Sequence, residues 1–322
     1  MQEKLYDLTN PQKSIWYTEE VLKGTTVNNI CTSGVIYEKV NEELLKKAIN
    51  NVVKQHDSFR IRIVVHENKV KQYISKFKNF DIEVKYINKE SELKEIEEEQ
   101  AKYKFNILDS DLFKFKIVIL KNRFACVILT VNHIISDSWS MGLTIQEILR
   151  NYHDLQKTYD KIETNINIEE NSYINYINSE INYKNSIRYE KDKAYWKEAF
   201  KTLPEQATIP STKAQFNQNK ENTAKIINEN LTGNNINDKN LENLANRYNV
   251  NIDKLIVNKI RKFCSKNNFS VFNFFMAIFS IYIGRVSNTK DFAIGTPVLN
   301  RDRKSTRLNS SHRIASRMPS SA

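Results

Sequence analysis

The chain has 322 residues, 40% of them hydrophobic and 27% charged, enough for two packed lobes of a globular protein. Its formal charge is +11, yet the 49 Lys and Arg residues are spread along the chain among 38 acids, which is the pattern of a solvated lysine-rich surface and not of a nucleic-acid stripe. No run of about 18 apolar residues and no basic, apolar, small-residue leader occurs, so a cytoplasmic protein without a membrane span is expected.

The opening segment YDLTNPQKSIWYTEEV is aromatic-rich, and CTSGVIYEKV after it has the β-branched and aromatic content of a strand. A helix follows in NEELLKKAINNVVKQ, where Asn41 is placed to cap and Leu44, Leu45, Ala48, Ile49, Val52 and Val53 form a stripe at helical spacing. FRIRIVV then alternates as a strand does. Ser91 to Phe105 is expected to be a mostly polar helix capped by Ser91. Two strands come next, Leu112 to Leu120 and Phe124 to Val131; the second is almost wholly apolar, as expected of a strand covered on both faces. Ile145, Ile148, Leu149, Tyr152 and Leu155 mark another helix, and helical character continues to about Phe200.

From about Leu203 to Asn251 the chain is rich in Asn and Lys with little pattern and reads as a linker between lobes with surface insertions. An amphipathic helix and then an apolar helix, Phe272 to Ile283, are expected next, the latter a core helix that truncation of its lobe would leave partly exposed, before a strand and turn in DFAIGTPVLNR. The three cysteines, Cys31, Cys126 and Cys264, form no CxxC pair and read as reduced core thiols. Trp16, Trp139 and Trp196 read as core or lobe-packing residues.

The last stretch, DRKSTRLNSSHRIASRMPSSA, abandons this style for Arg and Ser without apolar periodicity and cannot bury a face. Five cations against one anion there account for +4 of the +11, leaving +7. It resembles one reading frame of a short-read sequencing adapter resumed beyond a sample index. Residues 302–322 are therefore expected to be a disordered artefact on a chain cut near Arg301.

Chemistry concentrates in TVNHIISDSWSMG, residues 130–142, where His133 follows the covered strand and Asp137 and Ser138 lead into a helix. An imidazole titrates near neutrality and can take a proton from an attacking group. A metal has little to bind: His56, His66, His153 and His312 sit in unrelated settings, with no HExxH and no clustered carboxylates. The 6 glycines form no phosphate-cradling loop, and no GxSxG supplies a nucleophile. A histidine without a protein nucleophile suits direct transfer between two bound substrates.

NHIISDSWSMG resembles the HHxxxDG core motif of nonribosomal peptide synthetase condensation domains, within the chloramphenicol-acetyltransferase-like superfamily. Four more blocks agree in order: LTNPQKSIW resembles the opening LTxxQxxIW, QHDSFRIRI the RHExLRTxF block, FNILDSDLFKFKIVIL the FDLxxGPLFRxxL segment, and DFAIGTPVLNR the IGTPVANR block. The resemblance implies an α/β fold, an α+β sandwich of two chloramphenicol-acetyltransferase-like lobes in a V about a tunnel. Residues 1–178 would be the N-terminal lobe, and 179–301 an inter-lobe helix with an incomplete C-terminal lobe.

It further implies amide formation between aminoacyl or peptidyl thioesters carried on the phosphopantetheine of donor and acceptor carrier proteins, with an adenylation domain downstream and no cofactor, metal, nucleic acid or membrane of the domain's own. His133 matches the motif's second, functional histidine. Asp137 matches its aspartate, a structural residue paired with an arginine, for which Arg60 and Arg301 are the candidates. Two positions depart from the motif. Asn132 replaces the first histidine with a group that cannot titrate, and Ser138 replaces the glycine, so that it either strains a positive-φ turn or caps the next helix. Two rival expectations remain, a non-catalytic module that docks carriers and a stand-alone acyltransferase of the same superfamily.

Overall fold

Strand β7, Phe124–Asn132, is buried at every residue and sits inside a four-stranded sheet of order β2-β7-β6-β5. Its partners are β2 (Asn29–Ile36) and β6 (Phe113–Leu120), both antiparallel; β5 (Glu83–Ile87) runs parallel to β6 at the edge. Side chains alternate along a strand, so Val127, Leu129 and Val131 enter one core while Cys126 and Ile128 enter another on the opposite face. The computed structural model describes residues 4–121, 123–157, 172–205, 207–208 and 250–298, with the backbone of 312–317.

The larger core lies beneath helices α2 (Glu42–Gln55) and α4 (Ser138–Lys157), which contribute Leu45, Ile49, Val52, Met141, Ile148 and Tyr152. Asn41 caps α2 as expected, accepting from the Leu44 amide at 3.2 Å. Helix α1 (Asn10–Val21) precedes β2, and a second sheet of order β1-β4-β3 joins Tyr6–Asp7, Lys69–Ile74 and Ile61–His66. Its β3–β4 hairpin turns at Glu67 and Asn68, both at positive φ (49° and 59°), the backbone of a two-residue turn matched to strand twist. Strand β4 escapes a hydrophobicity reading because it is written in Lys and Gln. Asn68 at the turn is the available signal.

Helix α3, Ser91–Ala101, covers the other face of the main sheet through Ile96. It ends at Ala101 and not at Phe105, because Asn29 Nδ2 donates to the carbonyls of Ala101 (2.9 Å) and Tyr103 (2.7 Å) and so satisfies the helix end. Ser91 is inside the helix and does not cap it; Glu92 Oε1 accepts from the Lys89 and Asn88 amides at 2.8 and 3.2 Å instead. Beneath α3, burial and then the nearby Glu97 carboxylate push the Cys126 thiol up to about 12. The thiolate is the reactive form, so Cys126 should resist a disulfide reagent at pH 8 in the native chain and react only on unfolding. Native labelling at a free-thiol rate would contradict this.

Gly34 on β2 permits the sheet to receive α4. A Cβ placed there would collide with Cγ2 of Ile145, a branched side chain that cannot swing away. Gly34→Ala is expected to cost about 1–3 kcal/mol, seen as a lower urea midpoint. An unchanged midpoint would mean that α4 can shift freely on β2.

Helix α5, Tyr173–Lys184, crosses the boundary expected at 178/179 and belongs to the first compact unit, which reaches Asn185. It is fastened there by Glu180 Oε1, which accepts from the Asn10 amide at 2.9 Å, and by Lys184 Nζ, which donates to Asn10 Oδ1 at 3.0 Å. The second unit starts at Ser186 and holds α6 (Ile187–Ala199), α7 (Lys254–Lys266), α8 (Val271–Ser287) and β8 (Ala293–Val298). Ser172 and Ser186 cap α5 and α6.

Of the apolar helix α8, expected to be a core helix left partly exposed, Phe272 is 61% and Tyr282 53% exposed, and only Ser280 is buried. Within the described residues its aromatic packing is chiefly on α7, where Phe263 meets Phe274 at 5.9 Å. No single helix among the described residues is long and apolar enough to cross a membrane; α7 and α8 reach that length only together, bent by 104°. In the segment expected to be disordered, the backbone of His312–Arg317 forms a strand, β9, beside β8. An open strand edge pairs with any extended backbone regardless of side chains, so composition does not forbid this. The linker read over 203–251 lies mostly outside the described residues, as does Arg301.

Candidate active site

The end of β7 delivers the motif. Asn132 closes the strand, its amide donating to the Leu112 carbonyl at 2.9 Å, and the Ile135 amide returns to the Asn132 carbonyl at 3.2 Å, so that residues 133–135 form a turn. His133 is the half-buried member of that turn, flanked by buried Asn132 and Ile134. Its backbone N–H donates to the Asn28 carbonyl at 2.7 Å, while its imidazole has no hydrogen-bond partner among the described residues. A free ring nitrogen at the end of a rigid strand can take or give a proton to a group that approaches it.

Asn132, 1% exposed, is held on both sides of its amide. Nδ2 donates to Glu19 Oε1 at 2.7 Å, and Oδ1 accepts from the Ile134 amide at 3.0 Å. The same Glu19 oxygen accepts from Asn28 Nδ2 at 2.9 Å. The motif alone does not reveal Glu19 or Asn28. The available signal is position: Gln12, Ile15, Trp16 and Glu19 follow the spacing of one face of α1.

Asp137 is buried and serves as N-cap of α4: its Oδ1 accepts from the Ser140 amide at 2.8 Å and its carbonyl from the Met141 amide at 3.0 Å. Ser138 is thereby the first residue of the helix. It has no positive φ and does not cap, so neither consequence expected of the missing glycine arises. Trp139 beside it is 56% exposed, which overturns its reading as a core residue.

Arg60, one of the two cations expected opposite Asp137, is held elsewhere. Its Nη2 donates to Asp57 Oδ1 at 2.5 Å and its Nη1 to the Ser75 carbonyl at 2.9 Å, while Asp57 Oδ2 receives the Ser172 hydroxyl at 2.5 Å. Burial pulls the Arg60 guanidinium below its ordinary value and the Asp57 charge pushes it back up. The segment is a 3₁₀ turn, Asp57–Arg60, preceded by His56, whose Nε2 lies 2.8 Å from Glu147 Oε2 of α4.

The opening block is likewise explained by contacts. Thr9 N–H and Oγ1 donate to Gln12 Oε1 at 2.9 and 3.0 Å, and Gln12 exchanges amide bonds with Gln72 of β4 at 2.7 and 2.9 Å. Tyr173 OH lies 3.4 Å from Thr9 Oγ1, and burial pushes its phenol up. Among the described residues no group of three His, Cys, Asp or Glu side chains is placed to hold a metal ion. The cysteines are free thiols.

Comparison with known proteins places this arrangement. The chain is 29% identical over 310 residues to surfactin synthase subunit 1 of Bacillus subtilis (strain 168), covering 94% of this chain and 8% of that protein. It is 21% identical over 297 residues to surfactin synthase subunit 2 of the same organism, covering 92% and 7%. The chain thus spans less than a tenth of the length of these relatives. Among solved structures it resembles the condensation domain of the monacolin K polyketide synthase MokA, with a TM-score of 0.74 at 14% identity over 98% of this chain and 67% of that one. The first condensation domain of the calcium-dependent antibiotic synthetase, in complex with a substrate analogue, matches with a TM-score of 0.75 at 14% identity over 98% and 69%. These share the mixed α/β fold of this chain. With the family model for the condensation domain matched over residues 2–311, the chain belongs to the condensation domain family.

Proposed function

We propose that this chain acts in a nonribosomal peptide synthetase as a condensation domain, joining two acyl units carried as thioesters on phosphopantetheine arms of separate carrier proteins. The acceptor amine attacks the donor carbonyl, the new C–N bond forms, and the C–S bond to the donor arm breaks. His133 takes the amine proton, which ends on the departing thiolate. The observation that carries this reading is the free, half-buried imidazole of His133 on the rigid end of β7. The domain supplies no cofactor of its own; an adenylation domain in the same assembly would load the carriers, in a cytoplasmic setting consistent with three free thiols.

Docking carriers without chemistry would draw on the missing first histidine. Against it, Asn132 fills its buried position with both ends of the amide bonded, a role that needs no titrating group. The test is to supply donor and acceptor carriers, each loaded with an aminoacyl phosphopantetheine, and to look for the joined thioester by mass spectrometry. Product that requires both carriers supports the reading. Carrier binding without product would favour docking, and product with a free amine or alcohol but not with the acceptor carrier would favour a stand-alone acyltransferase.

A further inference from the structure

We propose that Glu19 is the positioning residue for His133, acting through the two asparagines on which the histidine turn is hung; this rests on the reading of His133 as the acid–base group. One carboxylate oxygen, Glu19 Oε1, receives Asn132 Nδ2 at 2.7 Å and Asn28 Nδ2 at 2.9 Å. Those asparagines bracket the histidine. Asn28 receives the His133 backbone N–H at 2.7 Å, and Asn132 bridges past His133 to the Ile134 amide at 3.0 Å. A single charged acceptor on α1 therefore ties together the start of β2, the end of β7 and the turn between β7 and α4.

The charge matters to the direction of these bonds. An amide can point either its oxygen or its nitrogen at a neighbour, and only a pure acceptor fixes which. Glu19 fixes the Nδ2 end of Asn132 toward itself and leaves Oδ1 for Ile134, the arrangement that braces the turn. Charge-assisted bonds of this type are about twice as strong as neutral ones. Without the carboxylate the buried Asn132 amide loses its acceptor, and the turn gains a second way to satisfy itself. The imidazole, which has no side-chain partner of its own among the described residues, moves with the turn.

The experiment compares Glu19→Ala, Glu19→Gln and His133→Ala in the full chain, with loaded donor and acceptor carriers and with [¹³C]histidine NMR. Because a misplacement of about 1 Å can cost about 10²-fold, Glu19→Ala is expected to lower kcat by roughly 10–100-fold while KM for either carrier stays within about threefold. Glu19→Gln keeps an oxygen that can accept both amides but loses the charge and can turn its own amide, so its kcat should fall between those of Glu19→Ala and the parent chain. The His133 ring signal, expected to be single in the parent chain, should broaden or split in Glu19→Ala and do so less in Glu19→Gln.

Wild-type kcat and an unchanged ring signal in Glu19→Ala would overturn the inference, provided His133→Ala has lost activity. So would a fall of kcat accompanied by weakened KM for both carriers and a lower melting temperature, which marks a general structural role. If His133→Ala keeps full activity, the proposed function fails before Glu19 is reached. Should Glu19→Ala not fold, Asn28→Ala, which keeps the carbonyl that holds the His133 amide, must reproduce the ring broadening, and a sharp unshifted line would overturn the inference.

Discussion

His133→Ala is expected to reduce kcat for joining the two carrier-bound thioesters by about 10²–10⁴-fold, the worth of a positioned acid–base group. Its stability should hardly change. The side chain is half-buried, makes no hydrogen bond among the described residues, and its removal leaves no polar partner orphaned, so an effect within about 0.5 kcal/mol is expected. This separation of activity from stability is what makes the variant informative. His56 supplies the contrast: it is 3% exposed and its Nε2 lies 2.8 Å from Glu147, so His56→Ala strips α4 of a buried tie and should lower the urea midpoint. Measuring initial rates and urea curves on both variants distinguishes a chemical histidine from a structural one. Activity of His133→Ala within threefold of the parent chain would end the acid–base assignment.

The parts of this fold that are legible in sequence are those in which one residue's identity dictates its own surroundings. Strand β7 is apolar on both faces because both faces are covered, and Asn41 caps α2 because a short side chain there reaches the Leu44 amide. His133 stands out because a strand end, a histidine and a helix start adjoin in one stretch. What sequence does not yield depends on partners far along the chain. The Asp137 cap and the Arg60–Asp57 pair, each spanning only three residues, are by contrast within reach of spacing rules. Glu19 is 113 residues from Asn132 and looks, in sequence, like one more surface acid of α1. Likewise the composition of α8 marks it as a core helix, while how much of it is covered depends on what packs against it.

The largest expected effect on stability lies away from the histidine, at Asp57. Asp57→Ala removes the acceptor of Arg60 Nη2 and of the Ser172 hydroxyl together, leaving a guanidinium whose Nε is already buried without a partner among the described residues. Breaking a buried pair from one side costs about 3–5 kcal/mol, because the remaining charge has lost its compensation. With a urea slope of about 3 kcal/mol/M for a chain of this size, the midpoint should fall by roughly 1–2 M. Asp57→Asn, which retains an acceptor oxygen but no charge, should fall between the two. The position explains why the cost is high: Asp57 and Arg60 bind the 3₁₀ turn to the Ser75 carbonyl after β4 and to Ser172 at the start of α5, so that one turn holds two elements. Since none of these hydrogen bonds involves the His133 turn, Asp57→Ala assayed well below its melting temperature should keep kcat near that of the parent chain. A midpoint shift under about 0.3 M would show that water replaces the carboxylate at little cost, as it does for exposed pairs worth only about 0–1 kcal/mol.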